Sequence, residues 1–128
     1  MKLLLDTHTF IWWNSQSVQL SQRALELCND STHSLLFSVA SAWEIQIKVQ
    51  LGKLILNESL SDILNNQQQI NNLAILPITL NHVLSLNSLP LHHKDPFDRL
   101  LIAQAISERA VLVSRDPVFE NYPVTVEW

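Results

Sequence analysis

Residues 95–116, DPFDRLLIAQAISERAVLVSRD, decide the fold class of this 128-residue chain. From Phe97 to about Arg109 the segment is rich in Leu, Ile and Ala, which predicts a buried helix. Ala110 to Ser114 is a short apolar run that predicts a buried strand, and Asp116 follows two residues later. A helix that leads directly into a buried strand is typical of an α/β domain with a parallel sheet.

The same alternation of apolar strands and helices runs through the rest of the chain. Further strands are predicted at residues 2–5, 34–38, 73–78 and 124–127. Helices are predicted at about residues 8–14, 22–28, 42–51, 59–72 and 80–87. Ser21 and Ser41 are the expected N-caps of the second and third helices, and Gly52 is expected to end the third in a left-handed conformation. No repeat or linker divides the chain, so we expect one domain over residues 1–128, with helices on both faces of the sheet.

Composition excludes several classes of protein. Gly52 is the only glycine, which rules out the glycine-rich phosphate loops of nucleotide-binding proteins. Cys28 is the only cysteine, so no intrachain disulfide can form and a reducing cytoplasm is the expected setting. The leading apolar run is interrupted at Asp6, and no apolar stretch approaches the roughly 20 residues that cross a bilayer. We therefore expect a soluble, cytoplasmic protein with no membrane partner.

Four acidic residues stand where parallel α/β domains place their ligands. Asp6 directly follows the first strand, and Asp116 follows the fourth. Glu44 lies early in the helix after the second strand, and Asp98 opens the long helix. Because ligands bind beyond the carboxyl ends of parallel strands, these side chains are expected to converge. Each has a structural alternative, such as a favourable helix-dipole contact for Asp98 or a turn with Pro117 for Asp116; the set of four favours a site.

The residue types at this predicted site indicate metal-dependent phosphodiester chemistry. Clustered carboxylates raise one another's pKa unless a cation compensates, and an all-oxygen set without thiolates suits Mg²⁺, or Mn²⁺, rather than zinc. Such an ion can activate water and neutralise a phosphodiester. The net charge of −4 argues against a broad basic surface, but Lys48, Arg99 and Arg115 adjoin the acids and could bind phosphates. The alternative is that they form surface ion pairs, for which Glu44–Lys48 has the favoured spacing.

Several segments together resemble the PIN-domain family, and within it the VapC-type toxins. They are LLLDTHTFIWW, SVASAWEIQIKVQLGKL, LPLHHKDPFDRLLIAQA and LVSRDPVF, in this order along nearly the whole chain. The resemblance implies a three-layer α/β/α fold with four or five parallel strands. It also implies a Mg²⁺- or Mn²⁺-dependent endoribonuclease that forms a homodimer, cleaves RNA and is neutralised by a cognate antitoxin.

The same resemblance assigns roles to individual residues. The family's four acidic positions fall on Asp6, Glu44, Asp98 and Asp116, as catalytic residues and metal ligands. Ser114 matches the position that supports the last acid and its water, and Thr7 is expected to support the first acid. In the DPFDR segment the resemblance favours Asp98 over Asp95 as the ligand. Asp95 is expected to cap the helix, with Pro96 in its first position.

Other interpretations compete with the nuclease. Phosphatases that form an aspartyl-phosphate also begin with a strand and an aspartate, but they need a second aspartate where this chain has His8. A catalytically inactive PIN-like module that binds RNA or protein is the main alternative, although retention of all four acids favours activity. His92 and His93 are adjacent and point apart in an extended loop, so a shared metal is not expected. His8 is expected on a helix surface, and the four tryptophans in core or dimer packing.

Overall fold

The computed structural model describes all 128 residues as alternating strands and helices. The strands are β1 (Lys2–Leu5), β2 (Ser34–Ser38), β3 (Ala74–Leu76), β4 (Val111–Val113) and β5 (Val126–Glu127). The helices are α1 (Thr7–Ser15), α2 (Gln22–Asn29), α3 (Val39–Gln50), α4 (Leu60–Asn71), α5 (Leu80–Ser85) and α6 (Pro96–Glu108). Short 3₁₀ helices lie at Ser17–Gln19, Leu86–Ser88 and Pro117–Asn121. None of the helices combines the length and the apolar character that a membrane-spanning segment requires.

All five strands are parallel and form one sheet in the order β3-β2-β1-β4-β5. Because side chains alternate along a strand, β1 serves both faces: Leu3 and Leu5 enter one core, and Leu4 enters the other. The first core is completed by helices α1 to α4, and the second by α6. The predicted α/β/α architecture with a parallel sheet is confirmed, with five strands.

The start of α3 differs from the sequence-based expectation. The helix begins at Val39, directly after β2, and its N-cap is Ser38, whose hydroxyl accepts from the Ala40 amide at 3.0 Å. Ser41, the expected cap, is a buried residue inside the helix, so that prediction is wrong. The reason is that β2 continues into α3 without a loop, so the N-cap is Ser38, the last residue of the strand. Gly52 follows the helix with φ +73°, as predicted.

The remaining caps agree with the sequence. Ser21 caps α2 by accepting from the Ala24 amide at 2.9 Å. Asp95 caps α6 by accepting from the amides of Phe97 and Asp98, and Pro96 occupies the first helical position. Three of the tryptophans, Trp12, Trp13 and Trp128, pack partly buried against the first core. Trp43 is 59% exposed, so it lies outside the core, and dimer packing is the part of the expectation that stays a prediction for this residue.

Candidate active site

A cleft of about 450 Å³ opens where β1 and β4 end at the carboxyl edge of the sheet. Most of its lining residues are polar or charged, and all four predicted acids are among them. The lining residues are Asp6, Thr7, His8, Trp12, Glu44, Lys48, Asp95, Asp98, Arg115, Asp116 and Pro117. The acids come from chain positions up to 110 residues apart, so the convergence is a product of the topology.

Asp6 is the most buried of the four acids, with 7% of its surface exposed. It caps α1: its Oδ1 accepts from the Thr9 amide at 2.8 Å. Its Oδ2 accepts from the Ser114 hydroxyl at 2.5 Å, and the Ser114 oxygen in turn accepts from the Asp116 amide at 3.1 Å. Burial raises the pKa of Asp6, and the hydrogen bonds from Ser114 and Thr9 oppose that shift. Ser114 thus connects the acid after β1 with the acid after β4.

Glu44 is held from two sides. The Thr7 hydroxyl lies 2.6 Å from its Oε1 and also contacts the Ser41 hydroxyl at 2.9 Å. Lys48, one turn further along α3, places its Nζ 3.1 Å from Glu44 Oε2. The predicted ion pair between these two residues therefore exists, and both of its members line the cleft. Thr7 supports Glu44 rather than Asp6, its neighbour in sequence.

The pKa of Asp98 is affected by all the other carboxylates of the cleft. Its pKa is raised to about 7, first by burial and then by the negative charges of Asp95, Glu44, Asp6 and Asp116. Burial and like charges act in the same direction here, because both disfavour the ionised form of the carboxyl group. Asp95, the capping residue, contributes to the cleft wall and to this field, although it is exposed.

The structure does not bring Arg99 into the cleft. Arg99 is buried, and its guanidinium donates to the carbonyls of Pro90 at 2.8 Å and Leu86 at 3.3 Å and to the Tyr122 hydroxyl at 3.3 Å. Consecutive residues of a helix point about 100° apart, so Arg99 faces the interior when Asp98 faces the cleft. The prediction that Arg99 contacts the substrate directly is therefore given up.

Arg115 does lie in the cleft, next to an aromatic wall that was not among the sequence-based predictions. Its guanidinium carbon is 4.7 Å from the centre of the Trp12 ring, a cation–π contact. Trp12 also packs against His8 at 5.5 Å and against Trp128 at 6.0 Å between ring centres. His8 lines the cleft, although a plain helix-surface position was expected. The spacing of four between His8 and Trp12 places both on one face of α1, and that signal was available in the sequence.

The donor set fits a hard divalent cation. No group of three or more His, Cys, Asp or Glu side chains is arranged to hold a metal ion as it stands. The acids of the cleft nevertheless offer only oxygen donors, and four carboxylates lie close enough to Asp98 to add to the effect of burial on its pKa. Mg²⁺ keeps several of its waters and needs only one or two direct carboxylates, so an open cleft of this kind suits it.

The comparisons with known proteins agree with this description. The sequence model of the PIN domain matches residues 3–124, whereas no curated protein matches the chain. The structure of VapBC2 from Rickettsia felis with promoter DNA aligns with a TM-score of 0.71 at 19% identity, covering 99% of this chain and 98% of that chain. DNA-bound VapBC from Salmonella typhimurium aligns with a TM-score of 0.68 at 18% identity, covering 99% and 97%. FitAcB from Neisseria gonorrhoeae aligns with a TM-score of 0.64 at 19% identity, covering 97% and 95%.

At these identities the solved structures share a fold with this chain. The match of the sequence model over residues 3–124 is the finding that identifies the family. It agrees with the five-stranded parallel sheet and with the resemblance that the motifs carry. The chain belongs to the PIN domain family.

Proposed function

We propose that this protein is a metal-dependent endoribonuclease and the VapC-type toxin of a type II toxin–antitoxin pair. The observation that carries the proposal is the convergence of Asp6, Glu44, Asp98 and Asp116 on one cleft. It is supported by the pKa of Asp98, which is raised first by burial and then by the charges of Asp95, Glu44, Asp6 and Asp116. PIN family membership and the fold shared with VapBC and FitAcB complexes add to it.

In this proposal Asp6, Asp98, Asp116 and Glu44 would hold Mg²⁺, with Mn²⁺ as a substitute. When bound, the ion supplies positive charge for the scissile phosphodiester and lowers the pKa of a coordinated water. The carboxylates must be ionised to bind it, and the cation in turn lowers their pKa values.

The other residues of the cleft orient the acids and receive the substrate. Ser114 holds Asp6, and Thr7 holds Glu44, so neither carboxylate needs to reorganise when the site is loaded. Lys48 and Arg115 are the cations that line the cleft, and they would neutralise phosphates on either side of the scissile bond. Trp12, held beneath Arg115, offers a face on which an unpaired base can stack. A single-stranded RNA segment suits this combination.

The antitoxin partner, the homodimer and the cytoplasmic location are parts of the same proposal. The similar structures from Rickettsia felis and Salmonella typhimurium are VapBC assemblies bound to DNA. By analogy, a cognate antitoxin would cover the cleft of this protein and block access of RNA to the acids.

The direct test is cleavage of total cellular RNA by purified, antitoxin-free protein in Mg²⁺ or in EDTA. We expect discrete fragments in Mg²⁺ only, and a loss of at least about 10²-fold in rate for Asp6→Asn, since one ligand charge disappears. Asp62→Asn is the matched control, because Asp62 is exposed on α4 away from the cleft. Folded protein that binds Mn²⁺ without cleaving RNA would instead indicate a PIN-like module that binds RNA or protein.

A second prediction concerns Thr7. Thr7→Val removes the hydroxyl that donates to Glu44 at 2.6 Å while keeping the shape of the side chain. A hydrogen bond to a charged group contributes about 1.5–3 kcal/mol, so we expect RNA cleavage to slow by about tenfold or more. Thr7→Ser keeps the hydroxyl and is expected to stay within about threefold of the wild type. Equal rates for the valine and serine variants would show that this hydrogen bond has no part in the reaction.

A further inference from the structure

A chain of polar contacts joins Asp98 to buried residues through His93. His93 Nε2 lies 3.3 Å from Asp98 Oδ2, and His93 Nδ1 lies 2.6 Å from the Tyr122 hydroxyl oxygen. The same hydroxyl oxygen is 3.3 Å from Arg99 Nη1 and 3.2 Å from the backbone nitrogen of His93. Arg99 and Tyr122 are both buried, and Arg99 is anchored on the Pro90 carbonyl. The loop that carries His93 is therefore fixed to α6 beside Asp98.

The donors and acceptors in this chain decide where the protons lie. A tyrosine hydroxyl has one proton to donate and two lone pairs to accept with. The Arg99 guanidinium and the backbone amide of His93 can only donate, so together they occupy both lone pairs of Tyr122. The single Tyr122 proton must then point to His93 Nδ1, which acts as the acceptor. The imidazole proton is left on Nε2, and this N–H faces Asp98.

We infer that His93 is a positioning residue: Arg99 and Tyr122 set its tautomer, and its Nε2–H holds the Asp98 carboxylate in the cleft. Four neighbouring carboxylates repel Asp98, and a fixed donor on one oxygen opposes its rotation away from them. The other oxygen stays available to a cation. The role also accounts for the burial of Arg99, the cation next to Asp98 in sequence. The effect on cleavage rests on the proposed function, whereas the tautomer is a property of the folded, metal-free chain.

The tautomer can be read directly by long-range ¹H–¹⁵N NMR of the imidazole rings. The full chain is measured without metal at about pH 8.5, well above the range in which histidines ordinarily titrate. We expect His93 to carry its proton on Nε2, with the signal assigned by its loss in His93→Gln. The ionised Asp98 carboxylate can only accept, so it favours the same tautomer, and the effect of Tyr122 is read in the Asp98→Ala background. There the addition of Tyr122→Phe removes the donor to Nδ1, so the signal should shift towards a mixture of tautomers. A wild-type proton on Nδ1, or no change when Tyr122→Phe is added to Asp98→Ala, would overturn the inference.

Two amide substitutions then test the contact with Asp98. His93→Gln places an N–H₂ group near the Nε2 position, whereas His93→Asn places one near Nδ1. Loss of an outer partner of a ligand typically costs about 10–100-fold in metal affinity. In calorimetric titrations with Mn²⁺ we therefore expect His93→Gln to stay within about threefold of the wild type and His93→Asn to lose about 10–100-fold. Equal losses in the two variants, with urea unfolding showing both folded, would contradict a positioning role.

The outcomes separate this inference from the proposed function. Wild-type protein that binds Mn²⁺ but cleaves no RNA contradicts the nuclease alone, because the tautomer and the two affinities still decide the role of His93. Wild-type protein that binds no Mn²⁺ contradicts the proposed function and the effect of His93 on metal affinity, and the tautomer measured without metal then decides whether His93 is held as inferred. RNA cleavage could also prove metal-dependent and equally impaired in the two amide variants. That result would support the nuclease and would contradict a positioning role for His93.

Discussion

Replacing Asp98 with asparagine is expected to abolish RNA cleavage and, at the same time, to stabilise the metal-free protein. The substitution removes one negative charge from a partly buried carboxyl group whose pKa is raised to about 7 by burial and by four carboxylates. Loss of a ligand charge should cost about 4 kcal/mol of transition-state stabilisation, or about 10³-fold in rate. A gain in stability together with a loss of activity is expected for a cation site, because its carboxylates repel one another when the cation is absent.

The stability effect has a defined pH dependence. The ordinary pKa of 3.8 applies to the unfolded chain, so between about pH 4 and pH 7 the folded protein binds the extra proton. The contribution of Asp98 to the free energy of unfolding is therefore fully present at low pH and is lost as pH rises through 7. The pKa shift corresponds to at most about 4 kcal/mol in the free energy of unfolding. We expect about 2 kcal/mol, because the side chain retains some contact with solvent.

The measurement is urea unfolding of wild type and Asp98→Asn in EDTA at pH 4.5 and pH 8. The two proteins should be similarly stable at pH 4.5, and the variant about 2 kcal/mol more stable at pH 8. Saturating Mg²⁺ at pH 8 should raise the stability of the wild type more than that of the variant, because the ion stabilises the folded state in proportion to its affinity. A difference between the proteins that does not change with pH would contradict this account of Asp98.

Replacing Phe37 with alanine is expected to cause the largest loss of stability. Phe37 is the fourth of the five residues of β2, is fully buried, and has its ring 4.3 Å from that of Phe10. Phe10 in turn anchors α1, the helix that carries Thr7 and the wall residue Trp12. Loss of a buried aromatic ring leaves a cavity and costs about 3–5 kcal/mol. Chemical denaturation should report this loss, and Val18→Ala, at a residue 89% exposed, should change stability by less than about 0.5 kcal/mol.

The consequence for the cleft makes the Phe37 prediction more specific. Because Phe10 packs on Phe37, loosening of this pair should reach the helix that Asp6 caps. We expect the near-ultraviolet circular dichroism of the tryptophans to weaken before the helical signal is lost. A Phe37→Ala protein with wild-type stability would show that the first core repacks around the cavity. Phe37→Leu, which keeps most of the buried area, is expected to lose less than half as much.

The hydrophobic pattern was sufficient to predict the sheet and the acids at its edge. Strand and helix positions follow from local periodicity, and Asp6 and Asp116 could be placed because each stands just beyond an apolar strand. The bounds agree to within two residues except at the start of α3, where Ser38 and Ser41 both have the chemistry of a cap. Which of the two serines caps the helix depends on how β2 continues into α3, and the neighbouring residues alone do not show this.

Only the tertiary structure decided which neighbours of the acids belong to the cleft. Arg99 and Arg115 each adjoin an acid in sequence, yet packing buries Arg99 against the loop that carries Pro90 and leaves Arg115 over Trp12. His93 reaches Asp98 because Tyr122, 29 residues further along, holds its ring. The sequence by itself determined the strands, the helices and the carboxylates at the strand ends, since these depend on local pattern. Three features depend on contacts and charges between distant segments, which exist only once the chain has folded. They are the side to which each arginine side chain points, the tautomer of His93 and the raised pKa of Asp98.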